Sequence, residues 1–244
     1  MLTRSPKGVG LTPAGEKLKP HAEDILGTLA RALQEAPHAP PRPQQLSIGG
    51  TPNLWDFVLQ GYLRRIRESH PGISLRAECH DSGYLISQLQ SRQLDFAILF
   101  EPLRLEDLVC ESIANINFVL ASTETDTTFG KFDESNYVFI DWSVGFGIEH
   151  DQLLGRSLQP SLIASTGSIA LDFLLQQGGT AFFPEHVLET YSKTNLLQTV
   201  SKSPSITLPV FLSYREGSTK RPLIKTVSEL LHSDSADMSC VLRP

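Results

Sequence analysis

Leu46-Ser47-Ile48-Gly49-Gly50-Thr51-Pro52-Asn53 is the stretch on which the reading of this chain turns. Its first half is a short apolar run closing in two glycines, the form of a buried strand that ends in a turn. Its second half opens a helix, with Thr51 at the cap and Pro52 in the first turn. Leu54, Phe57, Val58, Tyr62, Leu63 and Ile66 then supply the buried face of that helix. His70-Pro71-Gly72 ends it, and Ile73 to Glu78 follows as a second strand. A second helix is expected from Ser82 to Ser91 and a third strand over Leu94 to Phe100. Strand, helix, strand, helix, strand is the signature of a mainly parallel α/β sheet with right-handed crossovers.

Downstream the rhythm changes and then restarts. Val109 to Ser112 and Ile116 to Ala121 read as two strands with no long helix between them. Alternation resumes with a strand over Tyr137 to Asp141, a helix over Ile148 to Leu154 and a strand over Ser161 to Ala164. A helix over Gly167 to Gln177, a strand from Gly179 to Pro184 and a helix from Glu185 to Tyr191 complete that unit. A strand over Leu208 to Arg215 and a helix over Pro222 to His232 close the ordered part, and residues 233–244 show little periodicity. Two βαβ units in succession predict two lobes with a ligand cleft between them, because open parallel sheets bind ligands beyond the carboxyl ends of their strands.

Upstream lies a helix of another kind. Over residues 12–36, Leu18, Ala22, Ile25, Leu29 and Ala32 recur at spacings of four and three, and Leu26 and Leu33 widen the stripe. That is the seam of a helix packing lengthwise on another helix. Residues 37–44 hold Pro37, Pro40, Pro41 and Pro43 and form a stiff linker, so the seam is expected to find its partner outside its own body. Residues 1–11 read as the last strand pair of a winged DNA-binding domain. Arg4 and Lys7 would sit at the hairpin tip, where they could meet DNA phosphates but read no bases.

Composition narrows the class. A chain of 244 residues with 40% hydrophobic and 20% charged residues is an ordinary globular one with room for more than one core. Its formal charge of −6 argues against the whole surface being a nucleic-acid binder. Three cysteines, Cys79, Cys110 and Cys240, are an odd number without metal-type spacing and point to a reducing compartment. With no apolar core for a signal peptide and no run of 18 apolar residues, a cytoplasmic protein without membrane contact is expected. The seven histidines are scattered, no G-x-S-x-G nucleophile occurs, and Gly145-Phe146-Gly147 lacks the third glycine of a dinucleotide loop. No catalytic residues, metal ligands or cofactor are therefore expected.

Several of these stretches resemble LysR-type transcriptional regulators. Leu11-Thr12-Pro13-Ala14-Gly15-Glu16 is similar to that family's wing-to-helix junction, and Leu46-Ser47-Ile48-Gly49 stands where its effector domain begins. His70-Pro71-Gly72-Ile73, Leu89 with Leu94-Asp95-Phe96-Ala97-Ile98, and Gln177-Gly178-Gly179-Thr180-Ala181 with Pro184 follow in the family's order. The resemblance implies a periplasmic-binding-protein-like effector domain over residues 45–232, preceded by a long dimerisation helix. Lobe 1 would comprise 45–121 and 208–232 and lobe 2 would comprise 122–207, the chain crossing near Ser122 and returning near Thr207. It further implies a small-molecule effector, DNA as partner of the full-length protein, and a homodimer or tetramer. The helix-turn-helix that precedes the wing in that family is missing from this sequence, so a sensing half with a remnant of the DNA-reading half is expected. The alternatives are a truncated regulator acting only as a dimerisation partner, or a solute-binding protein, which would need export and leaves the wing unexplained.

The cleft is expected where strands become helices. Gly50, Thr51, Pro52 and Asn53 in lobe 1 and Thr166 and Ser168 in lobe 2 put hydroxyls at two helix starts, an arrangement suited to a small anionic or polar effector. Thr51 would either cap its helix alone or also donate to a carboxylate. Asp141 to Gly147 reads as a glycine-rich loop in which Trp142 and Phe146 form a mobile wall or simply plug the lobe. Phe100 ends the third strand and would line the floor.

Overall fold

Strands and helices alternate through most of the molecule, and the computed structural model describes residues 2–5, 8–35, 44–154 and 159–232. Strand β1 (Leu2–Ser5) pairs antiparallel with β2 (Gly8–Leu11), forming the expected hairpin. Lys7 and the proline linker up to residue 43 lie outside the described residues, as does the tail from 233. Helix α1 (Pro13–Glu35) starts on Thr12, whose Oγ1 accepts from the Gly15 N–H at 3.2 Å, so the expected cap forms. Leu18, Ile25, Leu26 and Leu29 stand exposed along it, Ile25 at 67%. One edge of α1 does touch the body: a Cβ added at Gly27 would lie 3.4 Å from Gln93 Cγ and 3.5 Å from Ser91 O. The contact uses Gly27 and leaves the apolar stripe uncovered.

The first lobe is built on β3 (Gln45–Gly50), β4 (Ser74–Cys79) and β5 (Phe96–Leu99), with β3 parallel to both neighbours. Leu46 to Gly50 of β3 and all of β5 are buried, as in a sheet covered on both faces. The helix after β3 is not uniform. It runs as α2 (Pro52–Leu54), a π-helical turn over Trp55–Leu59, and α3 (Gln60–Ser69). Helix α4 (Ser82–Gln90) links β4 to β5 and is capped by Asp81, whose Oδ1 accepts from the Tyr84 N–H at 2.9 Å.

The two strands expected around residues 109–121 are one strand of 15 residues, β6 (Leu108–Ser122). It pairs antiparallel along almost its full length with β11 (Ser205–Arg215). Val210 faces Ala114 and Phe211 faces Ser112, so Ile113 is an extra residue, a β-bulge beside Pro209. On one side of the bulge β11 pairs with β5; on the other, β6 takes β9 (Thr180–Pro184) and β10 (Gln198–Thr199) as neighbours. The second lobe adds a parallel pair, β7 (Val138–Ile140) and β8 (Leu162–Ala164), with α5 (Val144–Leu154), α6 (Gly167–Gln177) and α7 (Glu185–Ser192). Helix α8 (Arg221–His232) returns to the first lobe, where Lys220 Nζ pairs with Asp95 Oδ2 at 2.8 Å.

Helix α5 corrects one expectation. Val144 to Gly147 form its first turn and not a loop, because Ser143 Oγ accepts from the Phe146 N–H at 3.1 Å and offsets the poor helix propensity of two glycines. Inside this lobe Tyr137 Oη lies 2.6 Å from His150 Nε2, both side chains buried. Burial holds His150 below the usual histidine range and pushes the Tyr137 hydroxyl far above its ordinary value.

Candidate functional site

The carboxyl ends of β3, β5, β7 and β8 converge between the lobes, and one side chain from the first lobe fastens them. Asn53 lies buried just inside α2 and reaches across to the second lobe. Its Nδ2 donates to Asp141 O at 2.8 Å, with Trp142 O at 3.5 Å, and its Oδ1 accepts from the Gly167 N–H at 3.0 Å. The amide thus satisfies one of the free N–H groups at the start of α6 and a carbonyl at the exit of β7. A carboxamide suits this task because it carries a donor and an acceptor side by side.

Apolar contacts surround the clasp. The ring of Phe57, on the π-helical turn, lies 5.5 Å from Trp142 and 6.4 Å from Phe183, both edge-on. Gly167 is required by this packing, since a Cβ there would come within 2.4 Å of both Phe57 Cε2 and Trp142 Cη2. The Phe57 carbonyl also accepts from His186 Nε2 at 2.7 Å, His186 standing at the start of α7. Burial lowers the proton affinity of His186 despite that bond and the charge of Glu189, so the neutral ring with Nε2–H is favoured.

The anticipated residues are distributed as follows. Gly50 is buried beneath the π-helical turn, and a Cβ there would meet Leu59 Cδ1 at 2.3 Å. Thr51 has extended backbone but makes no side-chain cap; its Oγ1 is shielded from solvent and unpartnered among the described residues. Pro52 is the first helical residue and is exposed. Phe100 is buried 6.2 Å from Phe118. Thr166 caps α6, accepting from the Ile169 N–H at 3.4 Å, and its hydroxyl lies 3.0 Å from that of Ser168. Trp142 and Phe146 are not walls of an open cleft. They are core residues, 3% and 1% exposed, packed against Phe118, with Trp142 Nε1 donating to Phe182 O at 3.0 Å. Arg4 falls within β1.

Charge at the rim is negative. Glu101, just past β5, is half-buried, and burial together with the neighbouring Asp141 carboxylate raises its proton affinity. No local pattern groups Phe57, Gly167 and His186 with Asn53; only the T-G-S stretch at a helix start points toward Gly167. Among the described residues no group of three or more His, Cys, Asp or Glu could hold a metal ion. Cys79 and Cys110 are free, and partial desolvation with the nearby Asp56 charge raises the proton affinity of the exposed Cys79 thiol. No described helix is long and apolar enough to cross a membrane.

Two α/β lobes joined by long antiparallel strands, with strand ends meeting in a closed cleft, define a periplasmic-binding-protein-like effector domain. Residues 41–236 match the LysR substrate-binding domain, and the chain belongs to that family. It is 29% identical to the HTH-type transcriptional regulator HdfR of Yersinia pestis (strain Pestoides F), over 92% of this chain and 78% of that protein. HdfR of Yersinia pseudotuberculosis serotype O:1b matches to the same extent. A full-length OxyR variant from Pseudomonas aeruginosa shares the fold with a TM-score of 0.65 at 15% identity, covering 100% of this chain and 83% of that one. The OxyR2 regulatory domain of a Vibrio vulnificus variant does so with a TM-score of 0.65 at 16% identity, covering 81% and 99%. HdfR is a transcriptional regulator. The chain carries the effector-binding domain of a LysR-type transcriptional regulator, a class that binds small-molecule effectors and DNA.

Proposed function

We propose that this chain senses a small polar molecule at the closed cleft around Gly50–Asn53 and Thr166–Ser168, and relays its presence to DNA through α1. The observation that carries this reading is the clasp itself. Opposing strand ends are tied by a few polar bonds through Asn53 and His186, which a ligand can break and replace. The carboxylates of Glu101 and Asp141 at the rim disfavour a plain anion and favour a polar ligand that includes a donor group. The bulge at Ile113 favours a boundary earlier than the expected Ser122: β6 beyond Ala114 and β11 before Pro209 move with residues 122–204, and residues 45–112 with 211–232 act as the other lobe. The exposed stripe of α1 supports assembly into a homodimer or tetramer, and Arg4 and Lys7 contact DNA backbone in the full-length protein. The protein works in the cytoplasm and catalyses no reaction.

A thermal-shift screen of the full chain against small metabolites, followed by salt-series DNA binding of the protein with its helix-turn-helix, tests the reading. A ligand that raises the melting temperature and shifts operator affinity is expected. A ligand whose effect survives Thr166→Val with Ser168→Ala unchanged would place sensing elsewhere.

A further inference from the structure

Asn53 is placed where a ligand would be. A buried polar side chain that spans two lobes is costly to desolvate, and it is retained here with both ends of the amide satisfied by backbone groups of the opposite lobe. Those groups are one N–H, at the start of the 11-residue α6, and two carbonyls, Asp141 O and Trp142 O. Two residues earlier the Thr51 hydroxyl is shielded from solvent and bonded to nothing among the described residues, an unmade bond that a ligand can supply. Around the same spot stand the Asp141 and Glu101 carboxylates.

We propose that Asn53 is an internal stand-in for the effector, and that the true effector displaces it by presenting the same adjacent acceptor and donor, as an α-amino acid or a primary carboxamide does. This rests on the reading of the cleft as the effector site. The effector's carboxylate or amide oxygen takes the Gly167 N–H. Its ammonium or amide N–H takes Asp141 O and Trp142 O, with Glu101 and Asp141 favouring a cation there. The clasp therefore competes with the ligand: it keeps the empty protein closed and sets a threshold concentration for response. Loss of one acceptor and one donor bond at about 0.5–1.5 kcal/mol each corresponds to roughly 5- to 150-fold in affinity.

The test uses the full chain and a panel of α-amino acids and their amides. It is run beside the matched carboxylic acids lacking the amine and the matched amines lacking the carboxylate, with calorimetry and amide hydrogen exchange as readouts. Expected are binding by the bifunctional compounds alone, tighter binding by Asn53→Ala within the range above, and weaker binding of the charged amino acids by Glu101→Gln. In unliganded Asn53→Ala the Gly167 amide should exchange faster, and ligand should restore its protection. Amino acids binding while their amides fail, or the reverse, tells the two ligand types apart within the proposal. Binding by simple carboxylic acids, or Asn53→Ala binding more weakly, overturns the proposal while leaving the cleft as effector site. No binding by the panel to either protein overturns it as well; a metabolite outside the panel that then perturbs the Thr166–Ser168 amides keeps the cleft reading alive, and none doing so removes both. Should Asn53→Ala fail to fold, exchange at Gly167 in the wild-type chain during titration decides instead, since displacement must leave it protected while the Asn53 side-chain amide resonances shift.

Discussion

Gly167→Ala is the sharpest probe of how the two lobes are joined. The added methyl carbon would lie 2.4 Å from Phe57 Cε2 and 2.4 Å from Trp142 Cη2, against about 3.5–4.0 Å for carbons in ordinary contact. Both neighbours are ring atoms, one from each lobe, and neither ring can swing away at its tip as a lysine could. Relief requires a retreat of about 1 Å on one side or the other. Overpacking of this kind costs about 1–3 kcal/mol, and stretching the 3.0 Å bond from the Gly167 N–H to Asn53 adds about 1 kcal/mol. Against this stands a gain, since Gly167 begins a helix outside the left-handed region and alanine is the better helix former by about 0.5–1 kcal/mol. Strain wins, leaving a net loss of about 1–3 kcal/mol, or roughly 3–10 °C in melting temperature at this size. The assay is calorimetric melting of the variant alongside Phe57→Leu and the double variant. Leucine removes the offending ring edge, so the double variant should be more stable than the two single losses added together. An unchanged melting temperature for Gly167→Ala, or strictly additive losses, would refute the packing described here.

Three further outcomes follow from the same geometry. Tyr137→Phe leaves His150 Nε2 buried without its partner and should lower stability by about 1–3 kcal/mol in urea unfolding; no loss would mean the 2.6 Å contact does not matter. His150 and His186 are both held below their ordinary value of 6.5, so the unfolded chain takes up protons below about pH 6.5 that the folded chain refuses. Their contribution is complete above that pH and is lost as pH falls from 6.5 toward the folded values; melting temperature should decline over that window, and less steeply in His186→Asn. Ile25→Asp or Leu26→Asp should reduce the assembly state in sedimentation without changing the melting of the effector lobes, because both side chains point away from the body; an unaltered sedimentation coefficient would assign assembly to another surface.

Local chemistry made much of this fold readable. The β3–α2 junction could be read because a short strand-like run over Leu46 to Gly50 is followed directly by Thr51-Pro52, residues suited to a helix start. The α1 start could be read because Thr12, Pro13 and Glu16 each have a fixed role at a helix N-terminus. The pattern of β6 splits in two because Ser112 and Asn115 flank a bulge, and a bulge erases the two-residue alternation by which strands are recognised. The first turn of α5 has the composition of a loop because Gly145 and Gly147 are poor helix formers, whereas Ser143 and the burial of Phe146 override that preference. At the site, the strand-to-helix position of Asn53 was legible and its partners were not. Gly167 is 114 residues away and His186 lies beyond it, so no local pattern could pair them. The π-helical turn that carries Phe57 is likewise a product of tertiary packing over Gly50.

The bulge and the clasp together constrain how such a cleft can move. The chain passes between the lobes along β6 and back along β11, and these strands are hydrogen-bonded to each other on both sides of Ile113. Sliding one strand past the other would break the whole ladder, whereas a swivel at the bulge disturbs only the irregular pairing beside Pro209, which has no N–H to lose. Motion is therefore cheapest as rotation about Ser112–Ala114 and Pro209–Phe211. Opposing that rotation are the Asn53 bonds, the His186 bond and the Phe57 contacts, most of which come from the single stretch Asn53–Phe57. A ligand that acts on Asn53 alone releases the polar part of the restraint. The Phe57 ring against Trp142 and Phe183 then remains as the surface on which the lobes can roll.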